Sequence, residues 1–324
     1  MPDSVLFLRW LNRAAAWWPV ASQRERWRLA ALNLYIDSQL SGNRTHEALR
    51  AITLYLDYSG KLERAGRLSD TGRLEVTLRR AEFASILCEN GRPDQGVPLL
   101  DESLREFRRY AGVPDEFLGA CLLNLGGALL RAGRAEDAVG WLAEAKELRC
   151  RLHGAESHEA GQCHTNLGIA YQELGEWPDA LEALEQSVRI HALRSQTSDD
   201  YAIALHNLGA LLIRLERAGE AQTVIARAAK LFEERSHPLL STALDTLADA
   251  YGAQGRSRDA FRARESALSH LRDDTGDSVA TADWLQKQAL LLEQMNQAVE
   301  AAHYREWAVD VRRKVAFRTV AIDR

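Results

Sequence analysis

The sequence contains no long apolar run, little proline and few cysteines. A helix that crosses a bilayer needs about 18 consecutive apolar residues, whereas the first apolar run, Val5 to Leu8, ends at Arg9. This start also lacks the basic beginning and long apolar core of a secretory signal. The four cysteines are Cys88, Cys121, Cys150 and Cys163. Their irregular spacing indicates the reduced thiols of an intracellular protein. We therefore expect a cytoplasmic protein with no membrane contact.

The chain also has no surplus of positive charge. Its 324 residues include 41 Lys and Arg against 46 Asp and Glu, a net charge of −5, so general binding to nucleic-acid phosphates is not expected. The sequence has no phosphate-binding glycine loop and no GxSxG, HExxH or paired CxxC motif. We expect no cofactor and no catalytic residue, although an enzyme that uses a groove as its active-site pocket remains an alternative.

What is abundant is alanine, leucine, arginine and glutamate, a composition typical of an all-α fold. The chain also repeats itself. The segment Leu122 to Gly126 (LLNLG) returns as His164 to Gly168 (HTNLG) and as Leu205 to Gly209 (LHNLG), at intervals of 42 and 41 residues. A fixed period of this length predicts a repeat architecture.

Further landmarks keep the same register. A turn residue follows nine positions after each asparagine, and small residues follow after fourteen and twenty-one positions, as Ala180 and Ser187 do after Asn166. Six copies share these landmarks, which predict a first helix, a tight turn and an antiparallel second helix that approaches the first closely. Glu216 replaces the turn glycine in one copy and Gln288 replaces the leucine between the helices in another, so we expect those copies to pack less regularly.

The copies resemble tetratricopeptide repeats, specifically the 42-residue variety of kinesin light chains. The clearest match runs from Gly154-Ala-Glu-Ser-His158 through Asn166-Leu-Gly168 to Asp179-Ala-Leu181, with Tyr171 and Gly175 between. The resemblance covers residues 74–315. It implies a right-handed superhelical solenoid of antiparallel helix pairs that serves as a protein–protein interaction scaffold or adaptor.

The expected organisation has five parts. Residues 1–23 form a capping helix with Trp10, Trp17 and Trp18 on one face; an alternative is that this face anchors a partner or a second copy of the chain. A divergent helix pair follows at 24–58. An irregular link rich in glycine is expected at 59–73, six tetratricopeptide-like pairs at 74–315 and a basic tail at 316–324.

In the family, the first helices line a concave face that holds a peptide. Asn124, Asn166 and Asn207 match the asparagines that hydrogen-bond the ligand backbone there, and an amide can both donate to and accept from any peptide unit. The register also places charged and polar residues on this face: Arg131, Gln172, Glu173, His206 and Arg214 near the middle, and Asp245, Asp249, Asp283 and Glu293 toward the C-terminal end. The alternative is that the asparagines satisfy a neighbouring helix and that the charges are solvated. Lysines of the kind that clamp a C-terminal carboxylate are missing.

One segment concentrates side chains of the metal-ligand type. It contains Cys150, His153, His158, Cys163 and His164, but their spacing matches no familiar zinc site. We interpret them as ordinary polar or core residues and expect no metal. The preferred function is therefore an adaptor that binds a peptide segment of a partner protein. A regulatory sensor, whose solenoid binds a small peptide or metabolite and changes curvature, is the alternative.

Overall fold

The computed structural model describes residues 21–42, 44–110, 113–275 and 278–322, and within them every regular element is an α-helix. The all-α prediction is confirmed. The face of Trp10, Trp17 and Trp18, assigned to a capping helix, lies outside the described residues. In the described part of the chain, none of the helices combines the length and the apolar character that a bilayer-spanning segment needs.

Fourteen helices follow one another along the described chain. Their bounds are α1 Ala21–Ser41, α2 Thr45–Arg64, α3 Asp70–Glu89, α4 Pro93–Arg109, α5 Asp115–Arg131, α6 Ala135–His153, α7 His158–Leu174, α8 Trp177–Arg194, α9 Asp199–Arg214, α10 Ala218–Glu234, α11 Leu240–Ala253, α12 Ser257–Thr275, α13 Val279–Gln294 and α14 Ala298–Ile322.

The helices pack as pairs within two compact units, Met1–Gly154 and Ala155–Arg324. In the first unit α1 packs on α2, α3 on α4 and α5 on α6; in the second the pairs are α7 with α8, α9 with α10, α11 with α12 and α13 with α14. First helices of successive pairs also contact each other, α3 with α5 in one unit and α9 with both α7 and α11 in the other. This is the solenoid of helix pairs that the repeat predicted.

Glycine at the repeated Asn-Leu-Gly landmark lets the two helices of a pair approach closely. A Cβ atom added at Gly168 would lie 2.5 Å from Leu184 Cγ, and at Gly126 and Gly209 it would collide with the side chains of Leu142 and Ile225. Ala138, Ala180 and Ala221, the small landmarks of the second helices, are fully buried. The repeated small residues therefore mark real close contacts.

We predict that Gly168→Ala lowers the free energy of unfolding by about 1–3 kcal/mol, because the added methyl overpacks the contact with Leu184. Gly219→Ala is the matched control. It lies on an exposed part of α10, where an added Cβ meets no atom within 4 Å, so it should raise stability by about 0.5–1 kcal/mol through helix propensity. Urea denaturation measures both, and equal effects at the two positions would contradict the close-contact interpretation.

The turn position has the same left-handed backbone in all six copies. Its φ angle is 73° at Gly91, 69° at Gly133, 78° at Gly175, 59° at Glu216, 72° at Gly255 and 60° at Asn296. At Glu216 the following amide, Arg217 N, donates to Leu212 O at 2.9 Å, as Arg134 N donates to Leu129 O at 2.9 Å after Gly133. The expected irregularity at Glu216 is thus wrong, because the hydrogen bonds of the turn impose the geometry on a non-glycine residue.

Glu216→Gly should raise the free energy of unfolding. A left-handed conformation costs a residue with a Cβ atom about 1–2 kcal/mol, and the greater freedom of glycine in the unfolded chain cancels about 0.4–1 kcal/mol of the gain. We expect a net rise of roughly 0.5–1 kcal/mol in chemical denaturation. Glu216→Ala keeps the Cβ atom and should show no such rise; a similar gain from alanine would mean that the glutamate side chain, not the backbone, is unfavourable.

Gln288 replaces the leucine expected between α13 and α14, and these two helices still pack on each other. Its side chain is fully buried, and its amide nitrogen donates to the carbonyl oxygen of Phe261 and to the Glu265 carboxylate, both at 3.0 Å. The contact between α12 and α13 is polar at this point because the amide uses acceptors on α12.

The expected irregular link at 59–73 is shorter in the structure. Helix α2 continues to Arg64 because Tyr55, Ser59 and Leu62 keep a buried face at helical spacing, and Ser59 Oγ donates to Leu56 O at 3.0 Å. Packing thus outweighs the low helix propensity of Gly60. Helix α3 begins at Asp70, so only residues 65–69 lie between the two helices. At the other end, α14 extends to Ile322 through most of the segment assigned to a tail.

Candidate functional site

The first predicted groove asparagine lies on an accessible face of the first unit. Asn124 is exposed on α5, and its amide nitrogen donates to Ser85 Oγ on α3 at 3.0 Å. The amide oxygen is not used in this bond. The side chain therefore stands on the face formed by α3 and α5 and keeps an acceptor available to a peptide N–H.

A cavity of about 590 Å³ opens beside Asn124. Its apolar wall includes Phe107, Phe117 and Ala120, while Glu82 and Glu89 stand with Asn124 among the polar lining residues. Phe117 is 38% exposed, so part of its ring is accessible from solvent. The cavity is thus shaped for an apolar side chain beside polar and acidic groups.

The charges around this cavity are predominantly negative. Its lining contains three glutamates and one arginine, Arg79. Arg79 forms ion pairs with Asp37 and Glu82, both at 2.7 Å, and its Nε donates to Asn33 Oδ1 at 3.0 Å. Because the one cation is already engaged, the edge of the cavity favours a positively charged ligand group.

In the second unit the other two asparagines lie on α7 and α9. Asn166 and Asn207 are both half-buried. His206, next to Asn207, places its Nε2 atom 3.0 Å from Thr246 Oγ1 on α11. The remaining polar residues of the predicted groove lie in the last turns of first helices: Gln172 half-buried and Glu173 exposed on α7, Arg131 exposed on α5 and Arg214 exposed on α9.

Burial lowers the pKa of His206 below its ordinary value of 6.5, and the hydrogen bond with Asn207 opposes this shift only in part. The folded protein therefore binds a proton at His206 less readily than the unfolded chain does. The neutral ring contributes stability that is fully present above the unfolded pKa and is lost as the pH falls from there through the lower folded pKa.

We predict that the free energy of unfolding falls as the pH is lowered from about 8 to 5, and that His206→Gln makes the fall smaller. Glutamine removes the titrating ring and retains a group that can hydrogen-bond Thr246. Part of the pH dependence should persist because burial also lowers the pKa of His191. Urea denaturation at several pH values measures the slope; an unchanged slope in the variant would contradict the assignment.

Asp245 and Asp249 belong to an ion-pair network rather than to an open acidic surface. The guanidinium of Arg264 on α12, only 3% exposed, contacts both carboxylates, with Nε 2.7 Å from Asp245 Oδ1. Lys287 Nζ on α13 lies 2.8 Å from Asp245 Oδ2. Burial, followed by the charge of Asp245, raises the pKa of Asp249. The network joins α11, α12 and α13.

The other two acidic residues expected at this end are paired as well. Asp283 accepts from Arg312 at 2.8 Å, and Glu293 pairs with Arg305. Sequence reasoning missed Arg264, Arg305 and Arg312 because all three come from second helices, which the groove projection omitted. Lys287 was detectable, since it lies 42 residues after Asp245 and adjacent repeats place such residues side by side. All four acidic residues expected at the C-terminal end of the groove are therefore paired with arginine or lysine side chains.

Among the described residues, one group has side chains close enough to share a metal ion. His158, His191 and Asp200 place one ligand atom each within 4.8 Å of one another. Of the five candidates taken from the sequence, only His158 belongs to this group. His153 instead lies 2.7 Å from Glu116, and Cys163 is buried.

Comparisons with known proteins identify the repeat. A family model described as tetratricopeptide repeat matches residues 75–151, 118–192 and 200–273. No curated protein matches the chain.

Three solved structures illustrate the likeness of fold. The apo form of RapI is 14% identical, covering 94% of this chain and 79% of its own, with a TM-score of 0.67. BtubC (BKLC) from P. vanneervenii is 17% identical, covering 72% and 92%, with a TM-score of 0.58. A putative kinesin light chain with nearly identical TPR-like repeats from Podosopora anserina is 20% identical, covering 63% and 98%, with a TM-score of 0.54. Identities this low establish similarity of fold alone.

Proposed function

The chain belongs to the tetratricopeptide-repeat family, whose solenoids are typically non-enzymatic interaction scaffolds, and from this premise we propose that it is an adaptor that binds an extended peptide of a partner protein. The peptide lies against the first helices of the pairs, where Asn124, Asn166 and Asn207 hydrogen-bond its backbone. Five other predicted groove residues flank it: Arg131, Gln172, Glu173, His206 and Arg214. Asp245 and Asp249 lie farther along and are engaged by Arg264 and Lys287.

The cavity beside Asn124 is the observation that carries this proposal. It offers an apolar wall with the half-exposed Phe117, and the exposed Asn124 amide stands at its edge. Pockets that combine an apolar lining with a few convergent polar groups are the usual places for ligand side chains. A peptide can thus insert one apolar side chain while its backbone meets Asn124.

The acidic edge indicates the chemistry of the peptide. Glu82 and Glu89 stand at the cavity, and Arg79 is held by Asp37 and Glu82. We therefore expect an apolar anchor with a Lys or Arg close to it in sequence. The ion-pair network of Asp245 and Asp249 leaves less uncompensated charge in the second unit, so the first unit supplies more of the electrostatic selectivity.

A displayed library of random peptides, selected on the purified chain, provides a ligand for the test. For the best peptide, we predict that Asn124→Ala weakens binding about two- to tenfold, as expected for one hydrogen bond. Replacement of Asn124, Asn166 and Asn207 together should weaken it about ten- to a thousandfold if the terms add. Fluorescence anisotropy of the labelled peptide measures the dissociation constants.

Gln95→Ala is the matched control, because it removes an exposed amide near the start of α4, a second helix, at a position that does not line the cavity. Its affinity should equal that of the unmodified chain. Glu89→Gln should weaken a basic peptide and reduce the salt dependence of binding. Undiminished affinity in the triple variant, with native helicity by circular dichroism, would move the binding site away from the first helices.

The same complex separates the adaptor from the two alternatives. A sensor predicts that the bound peptide or a metabolite compacts the chain, which small-angle scattering measures. An enzyme predicts chemical change of the peptide, which mass spectrometry detects. An adaptor predicts neither.

A further inference from the structure

The group of His158, His191 and Asp200 is built from three helices of the second unit. His158 is the first residue of α7, His191 lies near the end of α8, and Asp200 lies in the first turn of α9. Ser157 and Ser198 cap α7 and α9 by accepting from Ala160 N at 3.1 Å and Tyr201 N at 3.2 Å. The caps fix the starts of both helices, and α8 packs against each.

The His191 ring is buried in a close-fitting space beside Gly161. It is only 3% exposed, and a Cβ atom added at Gly161 would lie 2.7 Å from its Nε2 atom. The Nε2 edge of the ring therefore lies against the backbone at Gly161. Metal-binding histidines characteristically place one ring nitrogen against a carboxylate, a backbone carbonyl or water, which fixes the ring orientation and leaves the other nitrogen as a ligand.

The separations suit a shared ion. The ring centroids of His158 and His191 are 5.6 Å apart with planes at 70°. Two imidazoles on one tetrahedral zinc, with Zn–N distances of about 2.0–2.1 Å, have centroids roughly 5 Å apart. His158 Nδ1 lies 3.7 Å from Asp200 Oδ2, close to the roughly 3.4 Å between two ligand atoms of a tetrahedral zinc.

Two ion pairs at the starts of neighbouring first helices have their partners within hydrogen-bond distance, unlike the pair of His158 and Asp200. His153 Nε2 is 2.7 Å from Glu116, and Arg235 Nε is 2.6 Å from Asp199. The pair of His158 and Asp200 instead leaves 3.7 Å between its atoms, and the buried His191 places a ring nitrogen within 4.8 Å of both. The side chains of His158 and Asp200 are 35% and 39% exposed, so an ion can enter from solvent.

We propose that His158, His191 and Asp200 bind one divalent transition-metal ion, with zinc as the representative. This inference is independent of the peptide groove. Two imidazoles and one carboxylate favour zinc, nickel, cobalt or copper over magnesium and calcium. The starts of α7 and α9 repel cations through their positive helix ends, which further disfavours ions held by charge alone. Water or a partner side chain completes the coordination.

The test is titration of the metal-free, tag-free chain with Zn²⁺ in a calorimeter. We expect one Zn²⁺ per chain and a higher melting temperature, because the ion binds only the folded arrangement. Asp200→Asn and His191→Phe should each weaken binding at least about tenfold, the lower range for losing even a supporting contact of a metal site. Cobalt in place of zinc should give the visible absorption bands of a four-coordinate ion.

Two controls make the result specific. Asp199→Asn changes the adjacent carboxylate, which pairs with Arg235, and His153→Gln removes a histidine outside the group; both should bind Zn²⁺ as the unmodified chain does. Absence of saturable binding, equal affinity in Asp200→Asn, or equal competition by Mg²⁺ would overturn the proposal. Should His191→Phe fail to fold, the exposed Asp200→Asn decides the question alone.

Discussion

The close approach of two helices at a missing Cβ atom is the constraint on which the rest of the structure depends. At Gly126, Gly168 and Gly209 the facing Leu or Ile side chain lies where a Cβ atom would be, so the two helices approach more closely than a larger residue would allow. This spacing fixes where each first helix stands beside the next. The positions of Asn124, Ser85 and Thr246 relative to their neighbours follow from that spacing rather than from any local feature of those residues.

The turn between the helices is the second invariant, and it is set by hydrogen bonds rather than by residue type. Four copies use glycine, while Glu216 and Asn296 adopt the same left-handed φ. The surrounding helix pair determines the backbone path. A residue with a Cβ atom can therefore adopt the strained conformation, because the packing of the two helices stabilises it. Local propensity yields to packing here, as it does at Gly60 inside α2.

The contrast between local, repeated features and packing across helices explains what could be predicted from the sequence. The helix pairs, their small contacts and their turns were predictable because each landmark is local and recurs with one period. In the ion-pair network, Lys287 was predictable because it lies one period after Asp245, but Arg264 was not, because it reaches across from a second helix through a long side chain whose direction no period encodes. Of the candidate site, the sequence identified the asparagine positions, whereas the cavity beside Asn124 depends on how Phe107 and Phe117 from two different helices meet. A peptide role for those residues remains a prediction.

Function in such an array depends on the places where the copies differ. One buried position of the second helix is Arg149 in α6, His191 in α8 and Phe232 in α10. Arg149 donates its Nε to Gly119 O at 3.3 Å, whereas Phe232 stacks on His237 with centroids 4.7 Å apart. The period places these residues at the same position each time, against Gly119 or Gly161 of the first helix in the first two copies. Of the three, His191 alone brings an imidazole nitrogen close to a carboxylate, that of Asp200. Shared landmarks therefore build the scaffold, and the substitutions at one position give each copy its own chemistry.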